Sequence, residues 1–329
     1  MSHRACALAL AGALVLLSSS NLRAQPFEGA GTRANGMAGA FVAVADDASA
    51  VYWNPGALAS GAFFSLVMDR SSGEAVPDGD PRGASTSNWL LALSMPALGL
   101  SYYRLRDTTV APRVADGGGA PELSRVNTLV THHAGITLVQ SILDRVAVGA
   151  TLKLVRGIAG SADAPRQDAG DLLEDVNLRG HDSSRFDLDV GVLAVGSLGR
   201  VGLSVRNLLE PSFDTPGGID LALQRQVRGG LALAVTERVL LAADLDFTRT
   251  AGPFGHVRTF ALGTEARILP RAFARAGIRL NTAADAERQP LLCVGGSYAV
   301  FGSLLVDAQV TTGSDKGLRG WGVSGRVAF

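Results

Sequence analysis

The sequence predicts an all-β protein: a transmembrane antiparallel β-barrel of about fourteen strands with an N-terminal plug (hatch) segment. Three observations lead to this prediction. Apolar residues recur with a period of two from residue 61 onward, short and long links alternate between the strands, and the chain ends on a strand whose last residue is the aromatic Phe329. The predicted organisation is a signal peptide over 1–24, a plug over 25–60 and a barrel over 61–329.

Residues 1–24 have the layout of a secretory signal peptide. Arg4 precedes an apolar run from Ala5 to Leu17, polar residues follow, and we expect cleavage after Ala24. The apolar run of about a dozen residues is too short to span a membrane comfortably, so export is expected rather than anchoring. Without the signal, Cys293 is the single cysteine, which excludes an intramolecular disulfide in the mature chain.

Charge and hydropathy narrow the class further. The chain has 30 basic and 30 acidic residues; without Arg4 and Arg23 the mature chain has 28 against 30, a net charge of −2. This balance does not support nucleic-acid binding, which needs a concentrated basic face. Mean hydropathy is +0.21, yet no run of about 18 apolar residues follows the signal. Two classes fit: a soluble β protein with a large core, or a barrel with apolar residues at alternate positions.

The strands follow from the alternation of apolar and polar residues. Asp244 and Asp246 interrupt the apolar positions of Val239–Phe247, and Asp187 and Asp189 interrupt those of Phe186–Val192. The same reading gives about fourteen segments of the length that a tilted membrane strand needs. They span residues 61–70, 87–95, 97–107, 124–140, 143–157, 183–196, 199–208, 223–235, 237–249, 256–267, 270–281, 289–299, 302–312 and 318–329.

The links between these segments alternate strictly in length. Longer links rich in Gly, Pro and Asp separate the tight ones, as in outer-membrane barrels, which have short periplasmic turns, longer outside loops and an even strand count. A soluble sandwich has no reason to keep this alternation, so the transmembrane barrel is the preferred fold. The tight links lie at Pro96, Ser141-Ile142, Ser197-Leu198, Glu237, Leu269-Pro270 and Val300-Phe301.

Aromatic residues make up 6% of the chain and gather toward the predicted strand ends, which is typical of the girdles at membrane interfaces. The terminal Phe329 resembles the signal by which outer-membrane barrels are recognised for assembly. The girdle candidates are Phe63, Trp89, Tyr102, Tyr103, Phe247, Phe273, Tyr298, Phe301 and Trp321.

The segment from Gly29 to Leu58 is rich in glycine and alanine, carries the acidic pair Asp46 and Asp47, and ends in aromatic residues followed by Asn54-Pro55. A segment so rich in small residues cannot build a large core, but it can thread through a space that another element encloses. Its order of motifs, glycine-x-Arg-Ala, Ala-Asp-Asp-Ala and Asn-Pro, resembles the N-terminal plug of the long-chain fatty-acid transporter (FadL) superfamily of outer-membrane barrels. That superfamily includes the PorV/PorQ-like branch.

The resemblance implies what the plug does. In that family, ligand binds near the outer loops, moves to a site beside the plug and shifts it. In this chain Pro55 restricts Asn54 to extended or turn geometry, and Gly56 stands where the transporters typically have alanine. The resemblance assigns plug and ligand-gating roles to Arg33, Asp46, Asp47, Trp53, Asn54 and Pro55.

Two features of the plug predict its surroundings inside the barrel. The acidic pair Asp46 and Asp47 either bridges to lumenal arginines or forms a solvated acidic turn, which would contribute little. The apolar stretches Ala40–Val42 and Val51–Trp53 are expected to line a lipid-binding pocket.

Polar residues on the inward faces of the strands predict a lumen of mixed charge. Neither sign dominates, unlike the single-sign ring of an ion-selective pore. The charges either form a polar route for a solute or brace the barrel and hold the plug, because buried charges need partners. The lumen-lining candidates are Lys153, Asp187, Asp189, Arg206, Arg228, Asp244, Asp246, Arg275, Arg279, Asp307 and Arg326.

We expect no catalytic, metal or cofactor site. His132 and His133 are adjacent in a strand, so their side chains point to opposite faces and cannot share a metal. No nucleophile motif such as G-x-S-x-G accompanies a histidine. The sequence therefore predicts a protein that is not an enzyme.

By the resemblance, the leading hypothesis is uptake of hydrophobic or amphipathic, fatty-acid-like small molecules across the outer membrane of a Gram-negative-type bacterium. The alternative is a non-transporting, PorV-like scaffold for protein export or surface attachment. The expected partners are outer-membrane lipids, the barrel-assembly machinery, and either a hydrophobic small-molecule ligand or an export partner protein, with no nucleic acid.

Overall fold

Antiparallel strand pairing closes most of the chain into a barrel. The computed structural model describes residues 29–77, 80–113, 123–165, 168–174, 180–216, 218, 220–252, 254–283, 290–314 and 317–329. The predicted signal peptide, 1–24, lies outside these described residues. Within them, fourteen strands form one closed sheet, which confirms the predicted barrel and its strand count.

The barrel strands pair with their neighbours in chain order, and the last strand pairs with the first to close the seam. In chain order the strands are β1 Ser65–Ala75, β2 Gly83–Met95, β3 Leu98–Arg113, β4 Leu123–Leu143, β5 Val146–Pro165, β6 His181–Val195, β7 Gly199–Arg206, β8 Ser212–Asp214, β9 Asp220–Ala222, β10 Gln226–Thr236, β11 Val239–Asp246, β12 Thr250–Gly252, β13 Gly255–Val257, β14 Thr259–Leu269, β15 Ala272–Asn281, β16 Leu291–Phe301, β17 Leu304–Gly313 and β18 Leu318–Ala328. Of these, β8 with β9 and β12 with β13 form two small hairpins in the links.

The helices are short and are not part of the barrel wall. The N-terminal segment contains α1 Thr32–Gly36, α2 Ala50–Trp53 and the 3-10 helix Pro55–Ser60, and the link between β5 and β6 contains α3 Ala169–Glu174. None of the helices in the described part of the chain has the length and apolar character that crossing a membrane requires.

The links confirm the predicted alternation. Six short connections of two or three residues lie at one end of the barrel, which we call the turn end. They join β2 to β3, β4 to β5, β6 to β7, β10 to β11, β14 to β15 and β16 to β17. The longer links lie at the opposite end, the loop end.

Strands β3 to β5 extend further toward the loop end than the sequence predicted. β3 reaches Arg113 rather than residue 107, and β5 reaches Pro165 rather than residue 157. The cause is continued pairing of polar segments: Leu123–Val130 pairs with Ile158–Pro165, and the ion pair of Arg125 with Asp163 spans 2.9 Å across the two strands.

The period of two is an inside–outside pattern. Apolar side chains at outward positions, including Leu138, Leu152, Val294 and Val310, are exposed on the barrel's outer surface. An apolar outer surface of this kind suits contact with lipid. Tyr103 departs from the predicted girdle because it takes an inward position of β3 opposite His133; it is buried, and its ring centroid lies 4.3 Å from that of His133.

The terminal Phe329 lies at the barrel seam. Its backbone N–H donates to Phe64 O at 3.0 Å, and Phe64 N–H donates to Phe329 O at 2.9 Å. The two rings stack with centroids 5.0 Å apart. The last residue thus extends the closure between β18 and β1 by one backbone pair; its role in assembly stays a prediction.

Candidate functional site

The segment Gly29–Ser60, which we call the inner segment, runs inside the barrel. Apart from Asn35 and Asp46, every residue from Gly29 to Ala57 is buried. Helix α1 contacts β15 to β18 and β1, and the 3-10 helix contacts β4 to β6. The inner segment therefore touches both sides of the wall in the half of the barrel nearer the turn end, before Gly61 leads into β1.

Glycines on the inward faces of the strands make room for the backbone of the inner segment. A Cβ on Gly149 would lie 2.5 Å from Pro55 O, one on Gly202 would lie 2.7 Å from Val42 O, and one on Gly277 would lie 2.6 Å from Met37 C. Real Cβ atoms do not approach other atoms this closely, so these positions accept only glycine without movement of the inner segment. The strands that contribute such glycines include β5, β6, β7, β14 and β15.

The Asn54-Pro55 pair adopts the geometry that the sequence predicts. Asn54 is extended, with φ −161° and ψ 100°, and its Oδ1 accepts a hydrogen bond from Gly56 N at 3.1 Å. Its Nδ2 donates to Val42 O at 2.9 Å and to Val192 O of the wall at 3.0 Å. Gly56 fits tightly, because a Cβ there would lie 2.7 Å from Gly191 O. The glycine permits close contact with the wall.

Arg33 is the centre of a buried ion cluster between the inner segment and the wall. Its guanidinium pairs with Asp46, with Asp47 at 3.1 Å and with Glu265 of β14 at 2.9 Å. Arg326 of β18 also reaches Asp47, at 3.3 Å. Of the two alternatives for the acidic pair, the bridge to arginines is the one present. Burial alone would raise the pKa of Asp47, but Arg326, Arg33 and hydrogen bonds from Ser49 together hold it below its usual value.

Two buried aspartates of the wall bind the backbone of the inner segment. Asp244 Oδ2 accepts hydrogen bonds from Phe41 N and Val42 N, both at 2.9 Å. Asp69 of β1 accepts from Gly31 N at 3.2 Å and Thr32 N at 2.5 Å. These bonds supply acceptors for N–H groups that would otherwise be buried without partners.

Two arginines of the predicted lumen also contact the inner segment. Arg206 lies over the ring of Tyr52, 3.7 Å from its centroid. Arg228 pairs with Asp246 at 2.6 Å and donates to Gly39 O at 3.5 Å.

The remaining lumen candidates form two further groups and one separate position. Lys153 lies 2.8 Å from Asp187 and 2.7 Å from Asp189 on one side of the barrel. On the other side, Arg275 and Arg326 both reach Asp307, at 3.3 and 3.4 Å. Arg279 lines the cavity described below.

The aromatic residues of the inner segment pack against one another. Trp53 is fully buried, donates from Nε1 to Ala30 O at 2.9 Å and meets Phe41 and Tyr52 edge to face. Neither Ala40–Val42 nor Val51–Trp53 lines the cavity, which differs from the sequence-based expectation. The physical reason is that these side chains form the core between the inner segment and the wall.

A cavity of about 510 Å³ lies between the inner segment and the loop end. Its floor is formed by Gly29 and Asn35, the two inner-segment residues that line it. Its wall comes from the loop-end halves of β1 to β3 and β14 to β18. This volume is within the usual range for small-molecule sites, about 300–1,000 Å³.

Two links fold over the loop end beside this cavity. In the first, Phe213 of β8 is fully buried against Leu129 and Val155, and a Cβ on Gly157 would lie 2.5 Å from its ring. In the second, Leu173 of α3 packs with Val110 and Val126. The links thus cover the β2 to β6 side of the barrel mouth.

Several residues important to this arrangement were not identified from the sequence. Asp69, Glu265 and Asn88 lie at inward positions of strands, and only the period of two marks them as lumenal. His132 and His133 do point to opposite faces: His132 Nδ1 bonds Tyr102 Oη at 2.7 Å on the exposed side, and His133 is buried. Among the residues that the structure describes, no group of three or more side chains is placed to hold a metal ion.

The comparisons with known proteins agree with the barrel. The family model described as F plasmid transfer operon, TraF, protein matches residues 134–246, which is less than half of the chain. A comparison with curated proteins gives no match. The structural comparison is much broader in coverage.

Three solved barrels illustrate the structural likeness. The monoaromatic hydrocarbon channel CymD is 15% identical, with 93% of this chain and 99% of that chain covered at a TM-score of 0.63. The Pseudomonas putida toluene transporter TodX is 14% identical, with 93% and 98% covered at 0.58. A Pseudomonas aeruginosa FadL homologue is 11% identical, with 91% and 98% covered at 0.59. The fold is therefore that of the FadL-type barrels, as the resemblance implied.

Proposed function

We propose that this protein is an outer-membrane channel for hydrophobic or amphipathic small molecules, which bind first in the cavity above the inner segment. The observation that carries the proposal is the division of the lumen. The inner segment fills the turn-end half, and a cavity of about 510 Å³ remains toward the loop end. A barrel arranged in this way has room for one small solute above a lumen that the inner segment occupies.

The fold supports this proposal. Similar barrels include a monoaromatic hydrocarbon channel and a toluene transporter. The lining of the cavity is also suitable, since Leu291 and Leu318 offer apolar surface beside polar groups. Uptake of fatty acids in particular, and a location in the outer membrane of a Gram-negative-type bacterium, are parts of the proposal.

A second candidate function is a non-transporting scaffold. The observation that favours it is the tight attachment of the inner segment, whose backbone meets wall glycines and binds Asp69 and Asp244. A barrel that never opens would suit attachment of another protein. Gentle purification of such a scaffold would recover a stoichiometric protein partner and no small molecule.

Mass spectrometry of molecules extracted from the gently purified barrel tests the two proposals. A channel should yield a hydrophobic or amphipathic compound bound at about one per barrel. Ala84 lines the cavity, whereas Ala134 is exposed on the outer face. The bound compound should be lost from Ala84→Trp, which fills the cavity, and kept by Ala134→Trp. Recovery of a protein partner with no bound compound would contradict the channel proposal.

A further inference from the structure

A buried amide oxygen beside the floor of the cavity has no hydrogen-bond partner in the described part of the chain. Asn88 of β2 lines the cavity and is 4% exposed, and its Oδ1 has no partner among the described residues. Its Cγ lies 3.8 Å from the Cβ position of Gly29, which places the amide beside the inner segment. A buried polar atom without a partner costs about 1–3 kcal/mol, so such atoms in native proteins usually meet a ligand or water.

The neighbours of Asn88 explain why the protein does not satisfy it. Its cross-strand neighbours are Ser71 on β1 and Leu105 on β3. The hydroxyl of Ser71 already donates to Gly29 O at 3.1 Å, and Leu105 has no polar atom. Asn88 lines the cavity, and rotation of its amide would present the acceptor to a solute with an O–H or N–H group.

The charges around the cavity are balanced. Arg319 pairs with Glu74 at 2.7 Å and Arg82 with Asp80 at 2.5 Å. Among the lining residues that the structure describes, three acidic and three basic side chains leave no surplus charge to offset the cost of desolvating an ionised ligand. The charged lining residues are Glu74, Asp80, Asp107, Arg82, Arg279 and Arg319.

From this juxtaposition we infer that the cavity selects neutral amphipathic solutes with a hydroxyl or similar donor, which bonds Asn88 while the apolar body lies against Leu291 and Leu318. The inference rests on the proposed function and specifies its substrate class. It places alcohols and phenols above hydrocarbons, which leave Asn88 without a partner, and above carboxylates, which bring an uncompensated charge.

Three probes that differ only in the group opposite the methyl test this inference: toluene, 4-methylphenol and 4-methylbenzoate. Binding to the purified barrel is measured by equilibrium dialysis, with protein-free micelles as the blank. We expect 4-methylphenol to bind about tenfold more tightly than toluene, and 4-methylbenzoate to bind no more tightly than toluene. Near-equal binding of the phenol and toluene, or tightest binding of the benzoate, would overturn the inference.

Variants on one strand face assign the effect to Asn88. Asn88→Leu and Asn88→Ala should abolish the preference for the phenol while toluene still binds, and neither removes a side-chain hydrogen bond to another described residue. Thr86→Val is the matched control: Thr86 lines the cavity on the same face of β2, but its hydroxyl donates to Gly73 O at 3.4 Å. An unchanged preference in both Asn88 variants contradicts the inference and leaves the channel proposal standing. Absence of binding by all three probes contradicts both.

Discussion

At the scale of single residues, Asp244 is a strong anchor of the inner segment. One buried carboxylate oxygen accepts from two backbone N–H groups, Phe41 N and Val42 N. Asp244→Ala leaves both donors buried without an acceptor, at about 1–3 kcal/mol each. We expect a higher single-channel conductance in planar bilayers as the inner segment loosens.

The isosteric variant separates this effect from loss of charge. Asp244→Asn keeps an oxygen acceptor, so its conductance should stay closer to that of the wild type. Equal conductance of wild type and Asp244→Ala would show that these two bonds do not hold the inner segment.

Gly149 tests the fit of the wall around the chain reversal at Asn54. A Cβ at Gly149 would lie 2.6 Å from Gly56 N, so Gly149→Ala must displace the turn at about 1–3 kcal/mol. Arg33 is the one basic residue between Gly29 and Ser60, so trypsin cleavage after it, detected by mass spectrometry, reports release of the inner segment. Cleavage should be faster in Gly149→Ala and unchanged in Gly325→Ala, where a Cβ meets nothing within 4 Å.

At the scale of elements, we expect acid to weaken the cluster around Arg33, which holds the inner segment in the lumen. The pKa of Asp47 lies below its usual value in the folded protein. A lowered carboxyl pKa contributes stability that is present above the unfolded value of about 3.9 and is lost as the pH falls through the folded value. Conductance should therefore be constant from pH 7 to 5 and rise near pH 3.

Asp47→Asn provides the control for this pH dependence. The variant lacks the titrating carboxyl, so its conductance should already be raised at pH 7 and should change less on acidification. A wild-type channel whose conductance is the same at pH 7 and pH 3 would contradict a role for this cluster in closure.

The hairpin of β8 and β9 acts as a separate element at the barrel mouth. Phe213 is its buried contact with β4 and β5, and its truncation to alanine costs about 3–5 kcal/mol. A short two-stranded hairpin has little stability of its own, so Phe213→Ala should expose the residues around it while the barrel stays folded. Hydrogen exchange of Pro211–Leu223 should speed up selectively, whereas exchange that rises throughout the barrel strands would contradict an independent cover.

At the scale of the whole molecule, the barrel could be predicted because the alternation of polar and apolar residues in each strand is local in the sequence. The alternation around Asp187 and Asp189 specifies the inward face of β6 without knowledge of any partner, and the lengths of the links specify the two ends. The path of the inner segment could not be predicted in this way. Its contacts are made to glycines such as Gly149 and Gly277, which have no side chain and so leave no pattern in the sequence.

The candidate site was predicted less completely than the fold, for a related reason. Arg33, Asp46 and Asp47 were identified as a group, but their wall partner Glu265 is 218 residues beyond Asp47 in the chain, and only the register of the barrel brings it near. Trp53 suggested a ligand pocket because aromatic residues often line one. In the structure its side chain lies in the apolar core between the inner segment and the wall. Asn88 is one polar residue among many inward ones until its missing partner is visible.

If solutes cross the membrane through the cavity above the inner segment, filling that cavity should block their uptake. The most direct measurement is uptake of radiolabelled toluene by intact bacterial cells with a tight outer membrane, producing wild type, Ala84→Trp or Ala134→Trp at equal surface levels. We expect fast uptake with wild type and Ala134→Trp, and uptake near that of cells without the protein for Ala84→Trp. Equal uptake by all three producing strains and by cells without the protein would contradict it.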